Sequence, residues 1–302
     1  MQQSNGQFIH ISLPELALVA AASACFAAAF WMRLRRLLQR GDGAIATASP
    51  PAAMQGEPAA PYRLPLFTTI AGTLACAVVL TWRAIAAHRF SLPLSDGFDA
   101  FILLVLLLAL LWLYFQASRN ADAIRGPAML LLPTAAALLL LAGGLSLAGY
   151  RQFRATDPWL AIHVGAVILG TACFAAGAAG SVAYLLADRQ LRRKQRVLPM
   201  ASLASLEKFI RHAIVLGFPL LTLAAITGIL RTIETARAST ALQSLILSPK
   251  FILTFVAWVL FALLLHVKIA PSLRGARAAW LCLLGFALLL AVFAAVNWMP
   301  HS

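Results

Sequence analysis

Acidic residues are nearly missing from this chain: ten Asp and Glu stand in 302 residues. Charged residues of both signs make up only 11%, against about 25% in a soluble domain. With 62% of the chain hydrophobic, a fold surrounded by water alone is excluded, because there is not enough polar surface to cover it. Charge is also missing from the middles of the long apolar runs. Glu15, Asp96, Asp99, Glu207 and Glu234 all stand near run ends or between runs. Ion-coupled carriers and proton relays place ionisable groups at mid-membrane, so both are disfavoured. The paired discontinuous helices of secondary transporters are not evident either.

Cysteine is sparse and scattered. Cys25, Cys76, Cys173 and Cys282 each fall inside an apolar run, and no CxxC or CxxCH occurs. That excludes a paired-thiol metal or redox motif and covalent haem attachment, and leaves four small packing residues. The first basic residue is Arg33, so the N-terminus lacks the charged region of a cleavable signal peptide. The first apolar run therefore reads as a retained helix entering from outside.

What the chain has is length of apolar sequence. About 20 apolar residues cross the hydrocarbon core as a helix. By that ruler the spans are Ile11–Met32, Leu66–Trp82, Phe98–Ala117, Ala128–Ala148, Trp159–Ala187, Ile210–Leu230, Phe251–Ile269 and Ala276–Trp298. The runs are continuous rather than alternating, which argues against barrel strands. The fold class is all-α: a polytopic bundle of about eight transmembrane helices, with both termini outside. Residues 1–40 make a first helix with a basic inner end. Residues 41–62, rich in Ala, Pro and Gly, read as a flexible cytoplasmic linker, and residues 63–302 as a seven-helix domain. In the fifth run Ala172, Ala176 and Gly180 form a small-residue stripe that admits a close neighbour. Trp31, Trp82, Trp112, Trp159 and Trp298 fall near expected interfaces, where indoles anchor.

The net charge of +14 invites a nucleic-acid reading, but its distribution opposes one. With the N-terminus outside, the inner segments hold Arg33, Arg35, Arg36, Arg40, Arg63, Arg119, Arg125, Arg189, Arg192, Arg193, Lys194, Arg196, Lys208, Arg211, Lys268, Arg274 and Arg277. These are 17 of the 24 basic residues. This is the positive-inside bias of a multi-pass protein in a bacterial cytoplasmic membrane. The Arg189–Arg196 cluster also suits anionic lipid at the inner face. No aromatic platform or folded basic domain for nucleic acid is present.

Histidine is the remaining chemistry. By depth, His10, His88, His163 and His301 lie on the outer side, while His212 and His266 lie toward the inner face. Neutral imidazole is the usual axial ligand of haem iron in an apolar pocket. Two ligands must share a depth, and His163 and His301 do. Trp159 lies one turn outward from His163 on the same helix face, where it could wall a porphyrin. A polar anchor at the interface is the alternative for either histidine.

Four segments bear on that choice. HRFSLPLSDGFDAF at His88–Phe101 is similar to a "PLSN.YE" outer-loop pattern that opens a helix. WLAIHVGAVILG at Trp159–Gly170 looks like an "HV…G" helix. LEKFIRHAIVLGFPLLTLAAITG at Leu206–Gly228 resembles "L..L..R….GFP.LT.GI.TG". The stretch from Ser248 to the end resembles a closing helix pair with "LH.R…RG…A….GF". In order and spacing they resemble the cytochrome c assembly family of haem-handling membrane proteins (CcsA/ResC, CcmC and the HemX/YpjD-like relatives), from about Leu66 onward.

The resemblance implies that His163 stands at the first external haem ligand, His301 near the second, and His266 at the inner transmembrane histidine. Gly217, Pro219, Gly228 and Gly275 match packing and turn positions. It implies haem b, held non-covalently, as cofactor, with His163 and His301 on the iron and Trp159 and His266 as further cofactor contacts. The partner it implies is another membrane subunit of a cytochrome c assembly system. One departure stands out. The haem-attaching members carry a Trp-rich WGxxWxWD segment before the seventh helix, whereas Arg231–Lys250 here contains no Trp. The HemX-like branch fits better. The expected function is haem binding or relay in cytochrome c assembly, without enzymatic activity. A scaffold of the same fold that binds no haem, or a carrier of a small uncharged molecule, are the alternatives.

The division of basic residues generates a topology test. Reporter fusions should place both termini outside and residue 195 inside. A reporter at residue 195 reading as external would reverse the whole orientation.

Overall fold

A computed structural model of the chain describes residues 8–9, 11–46, 63–86, 96–117, 121–146, 150–151, 158–193, 202–235, 249–266 and 275–298. The described residues form eight helices: α1 (Leu13–Ala46), α2 (Arg63–Ala86), α3 (Gly97–Ala117), α4 (Ala121–Leu145), α5 (Pro158–Arg192), α6 (Leu203–Thr235), α7 (Pro249–Leu265) and α8 (Ala276–Trp298). Among the described residues, six of them are long and apolar enough to cross a membrane, and Leu130–Leu145 and Phe251–Leu265 are shorter apolar helices. The protein is a multi-pass helical bundle. A helix is the form that satisfies every backbone polar group within its own segment, as hydrocarbon requires. A two-residue antiparallel ladder, β1 (Phe8–Ile9) with β2 (Tyr150–Arg151), stands outside the helices, with Phe8 opposite Arg151. α1 runs on through Ala46, beyond the boundary drawn at residue 40 from composition. The Arg, Leu and Gln residues of 33–40 are good helix formers, and after Pro14 in the first turn no proline follows until Pro50.

Helix starts are capped by side chains already visible in the sequence. The Ser12 amide donates to Glu15 Oε2 (3.0 Å), the Asp99 amide to Asp96 Oδ1 (3.1 Å), and the Ser205 amide to Ser202 Oγ (3.2 Å). Gly275, at φ +70°, turns the chain into α8, and its carbonyl accepts from the Ala279 amide. Pro219 lies inside α6 without ending it. Neighbouring helices support such a proline in a membrane bundle.

The most intimate helix pair is α5 with α6, packed antiparallel. A Cβ on Gly180 would lie 2.7 Å from Phe209, and one on Gly170 would lie 3.3 Å from Leu220, so the two backbones approach through missing side chains. The small-residue stripe through Gly180 thus has α6 as its neighbour. At the centre, Phe174 of α5 stacks on Phe261 of α7 with centroids 3.7 Å apart and planes 20° apart. Gly217 of α6 lies against Phe174, and Gly285 of α8 lies against Phe261. Four helices therefore meet at one aromatic pair. Leu216, Phe67 and Trp82 are among the large apolar side chains left on the outside, as lipid-facing surface requires.

One of the expected interface anchors is not one. Trp112 is fully buried, with the Arg33 guanidinium 4.5 Å from its ring centroid. Its position near the end of a run suggested an interface. The Arg33 side chain, reaching from α1, lies over it instead, and a cation held over an indole face is favourable there.

A Cβ at residue 285 would stand 2.7 Å from Phe261 Cζ. Gly285→Ala should therefore lower the thermal midpoint in detergent, reflecting an overpacking cost of about 1–3 kcal/mol. Gly143→Ala, at a site with nothing within 4 Å, should not lower it. Equal midpoints for Gly285→Ala and wild type would show that the aromatic pair does not constrain α8.

Candidate functional site

His163 lies one turn into α5, half-buried, on the face that meets α6. Its Nδ1 is 2.8 Å from the Ala224 carbonyl oxygen and 3.1 Å from Thr227 Oγ1. A carbonyl oxygen only accepts, so Nδ1 carries the proton and the neutral ring keeps its lone pair on Nε2. Gly228 forms the floor of this seat: a Cβ there would stand 2.9 Å from His163 Cε1. The tautomer is the one a metal-ligating histidine adopts when its other nitrogen is held by a backbone carbonyl. Trp159, one turn outward, is exposed.

The other predicted site residues are placed differently. His266 follows the last turn of α7, exposed, and its Nδ1 donates to Ala262 O of its own helix at 2.8 Å. The Trp258 indole donates to Thr222 Oγ1 and fixes the register of α7 on α6. Eight residues of helix rise separate Trp258 from His266, on the order of 12 Å, and the His163 seat lies on the opposite side of that level. His163 and His266 are not brought together. His212 is exposed at the start of α6 and bonds Lys208 O (2.7 Å). His10, His88 and His301 lie outside the described residues, as does the Lys194–Arg196 part of the basic cluster. Among the described residues no group of three or more His, Cys, Asp or Glu is arranged to hold a metal ion.

A second polar centre was not expected. Asp96 and Asp99 stand at the start of α3, as a run-end reading places them, but both are fully buried. Arg83, from the last turn of α2, is their counter-charge. Its Nη2 donates to Asp96 Oδ2 (2.7 Å), its Nε to Asp99 Oδ1, and its Nη1 to Glu15 Oε1 of α1 (3.2 Å). The guanidinium also lies 5.3 Å from the Phe98 ring centroid. One cation thus ties α1, α2 and α3 together at the end of the bundle where α1 and α3 begin. The two capping patterns, SLPE at 12–15 and DGFD at 96–99, were the available signal, together with an Arg closing an apolar run. Three carboxylates around one guanidinium are one charge pair plus an acidic excess. Burial, and then the neighbouring Asp99, push the Asp96 carboxyl up to about 6 despite the opposing pull of Arg83.

The profile of the cytochrome C assembly protein family matches residues 94–302, more than half of the chain. The chain belongs to that family. The cytochrome c biogenesis protein CcsA of Guillardia theta is 25% identical over 159 residues, which cover 47% of this chain and 51% of that protein. The matched region thus spans about half the length of that curated relative. No solved structure matches. Both polar centres lie within the bundle, but the family match opens at residue 94. The His163 seat and the two aspartates therefore fall inside it, while Arg83 and Glu15 stand before it.

Asp96 sets a pH dependence whose sign follows from its raised value. A carboxyl that is easier to keep protonated in the folded state contributes stability below its ordinary value near 3.8, and that contribution is lost as pH rises through about 6. Thermal midpoints in detergent should fall across that window in wild type and change less in Asp96→Asn. Superimposable pH profiles for the two proteins would remove Asp96 as the titrating group. Arg83→Leu should destabilise far more than Arg83→Lys, by about 3–5 kcal/mol, because it strands buried carboxylates.

Proposed function

We propose that this family member is a haem-handling component of a cytochrome c assembly system, in which His163 would hold haem b non-covalently through Nε2. The observation that carries the reading is the His163 Nδ1–H bond to the Ala224 carbonyl, which leaves Nε2 as the ligating nitrogen. A bound haem would supply an iron able to take an imidazole nitrogen. The residues of this chain supply the rest: α6 sets the ring's tautomer, and Trp159 adds an indole at the mouth. His301 is the proposed second ligand. His266, toward the other end of the bundle, is no part of that iron's coordination.

The proposed setting is a bacterial cytoplasmic membrane, with the His163 end outside and the Arg189–Arg196 cluster on anionic lipid inside. The proposed partner is a second membrane subunit of the assembly system. The chain acts as a binding and relay component rather than a catalyst. The loop before α7 has no Trp to stack a porphyrin for presentation to an apocytochrome, which favours relay or holding over attachment.

Protein purified from haem-replete cells should show a Soret band that organic solvent extracts, since no CxxCH is present. His163→Ala should lose most of that haem, His301→Ala less of it, because water or another outer histidine can replace a ligand near the chain end. His266→Ala should retain it. A wild-type protein with no Soret band would overturn haem binding and leave a scaffold of the same fold. Equal losses in all three variants would indicate misfolding rather than lost ligands.

A further inference from the structure

Threonines in these helices mostly do one thing. Thr69, Thr73, Thr134 and Thr171 each donate the side-chain hydroxyl to the carbonyl four residues earlier. Two threonines of α6 do more. Thr222 donates to Phe218 O (2.9 Å), and its oxygen accepts the Trp258 indole N–H of α7 (3.0 Å). Thr227 donates to Leu223 O (2.7 Å), and its oxygen stands 3.1 Å from His163 Nδ1 of α5. With its proton directed to a carbonyl, Leu223 O or the longer Ala224 O (3.1 Å), neither of which can donate back, the Thr227 hydroxyl meets Nδ1–H as an acceptor. α6 thus grips a ring from each neighbour with the same device, five residues apart along its length.

We infer that Thr227 is a positioning residue for His163. Its buried hydroxyl, as second acceptor for Nδ1–H beside the Ala224 carbonyl, fixes the ring on the Gly228 floor and so fixes where Nε2 is presented. This rests on the haem reading above and deepens it. One acceptor alone leaves the imidazole free to swing about its Nδ1–H bond. Two acceptors on successive turns of one helix, with a glycine beneath the ring, restrict that swing. Thr227 is only 4% exposed, so no water replaces its oxygen at low cost. A valine has nearly the same volume but puts a methyl group where Nδ1–H needs an acceptor. It therefore removes the bond and crowds the ring away from α6.

The experiment compares Thr227→Val, Thr227→Ser and Thr222→Val with wild type. Each α6 valine variant deletes one hydroxyl that both back-bonds the helix and joins a neighbouring helix, so the two carry similar general cost. Titration of haem into haem-depleted protein should give binding about 10–100-fold weaker in Thr227→Val, with a shifted Soret maximum, as for other lost outer-shell partners of metal-bound histidine. Thr227→Ser should restore wild-type affinity and spectrum, and Thr222→Val should match wild type in both. A second arm needs no haem: diethyl pyrocarbonate modification of His163, followed by mass spectrometry, should be faster in Thr227→Val than in wild type or Thr222→Val. Identical affinity, spectrum and modification rate in Thr227→Val and wild type would overturn the inference. Equal changes in both valine variants would overturn it too, by making the effect one of packing. A wild type that takes up no haem sinks the haem reading, and the modification arm then decides by itself whether Thr227 holds His163.

Discussion

The close approach of α5 and α6 is the constraint on which the rest of this bundle depends. Lipid offers no hydrophobic drive for helices to associate, because a leucine is as well solvated by acyl chains as by another leucine. Association has to come from contact area and from hydrogen bonds that hydrocarbon cannot supply. Gly170, Gly177 and Gly180 on one helix and Gly217 and Gly228 on the other remove the side chains that would hold the backbones apart. What fills the space is then specific: Phe174 against Gly217, Phe209 against Gly180, His163 against Gly228. The same proximity that packs the pair brings the Ala224 carbonyl within reach of an imidazole. A wider helix separation would forfeit both the van der Waals contact and the tautomer of His163.

At the end where α1 and α3 begin, the bundle uses a different fastening. Arg83 gathers Glu15, Asp96 and Asp99 from two other helices, and two of those acids also serve the helix starts: Glu15 accepts the Ser12 amide, and Asp96 accepts the Asp99 amide. Both oxygens of Glu15 and of Asp96 therefore have a defined donor, which helps make burying an acidic excess tolerable. A planar guanidinium with five fixed donors suits three acceptors from three directions, and a lysine ammonium does not reproduce that fork. The charge lies at helix ends rather than mid-membrane, so it serves as a structural tie between α1, α2 and α3 without resembling an ion path.

Much of this was legible in the sequence, for stated reasons. The spans follow from continuous apolar length, because the hydrocarbon core imposes one ruler on every helix. Gly180 and Gly228 were legible as packing positions, and His163 as the histidine at a useful depth. The partners were not legible. Nothing in the order of residues says that Ala224 offers its carbonyl to His163 or that Thr227 faces α5, because α5 and α6 are apolar all round and their rotation is decided only by packing. Trp112 misled for the same reason. Its place near a run end fits an interface, yet it is fully buried and Arg33 caps its ring. The burial of Asp96 and Asp99 was hidden by a sound rule, that acids at run ends face water. It fails here because Arg83 on the preceding helix ends at the same level.

The two polar centres do different work, and on the proposed haem reading the missing Trp-rich segment makes the division sharper. A platform of stacked indoles holds a porphyrin by its face, over a large area. On the proposed haem reading, the His163 seat would hold it by one atom, with orientation supplied from α6. A site that relies on a directed ligand rather than on stacking area gains specificity for the metal and gives up residence time, since affinity differences among related sites lie mostly in the dissociation rate. The glycine-packed α5–α6 pair and the Phe174–Phe261 stack hold the helices that carry and seat His163. The Arg83 tie keeps α1 to α3 from drifting at the end where those helices begin. On the proposed reading such a holder would recognise its cargo by where one nitrogen stands, and the ring that carries it is seated against the α6 carbonyl, hydroxyl and glycine.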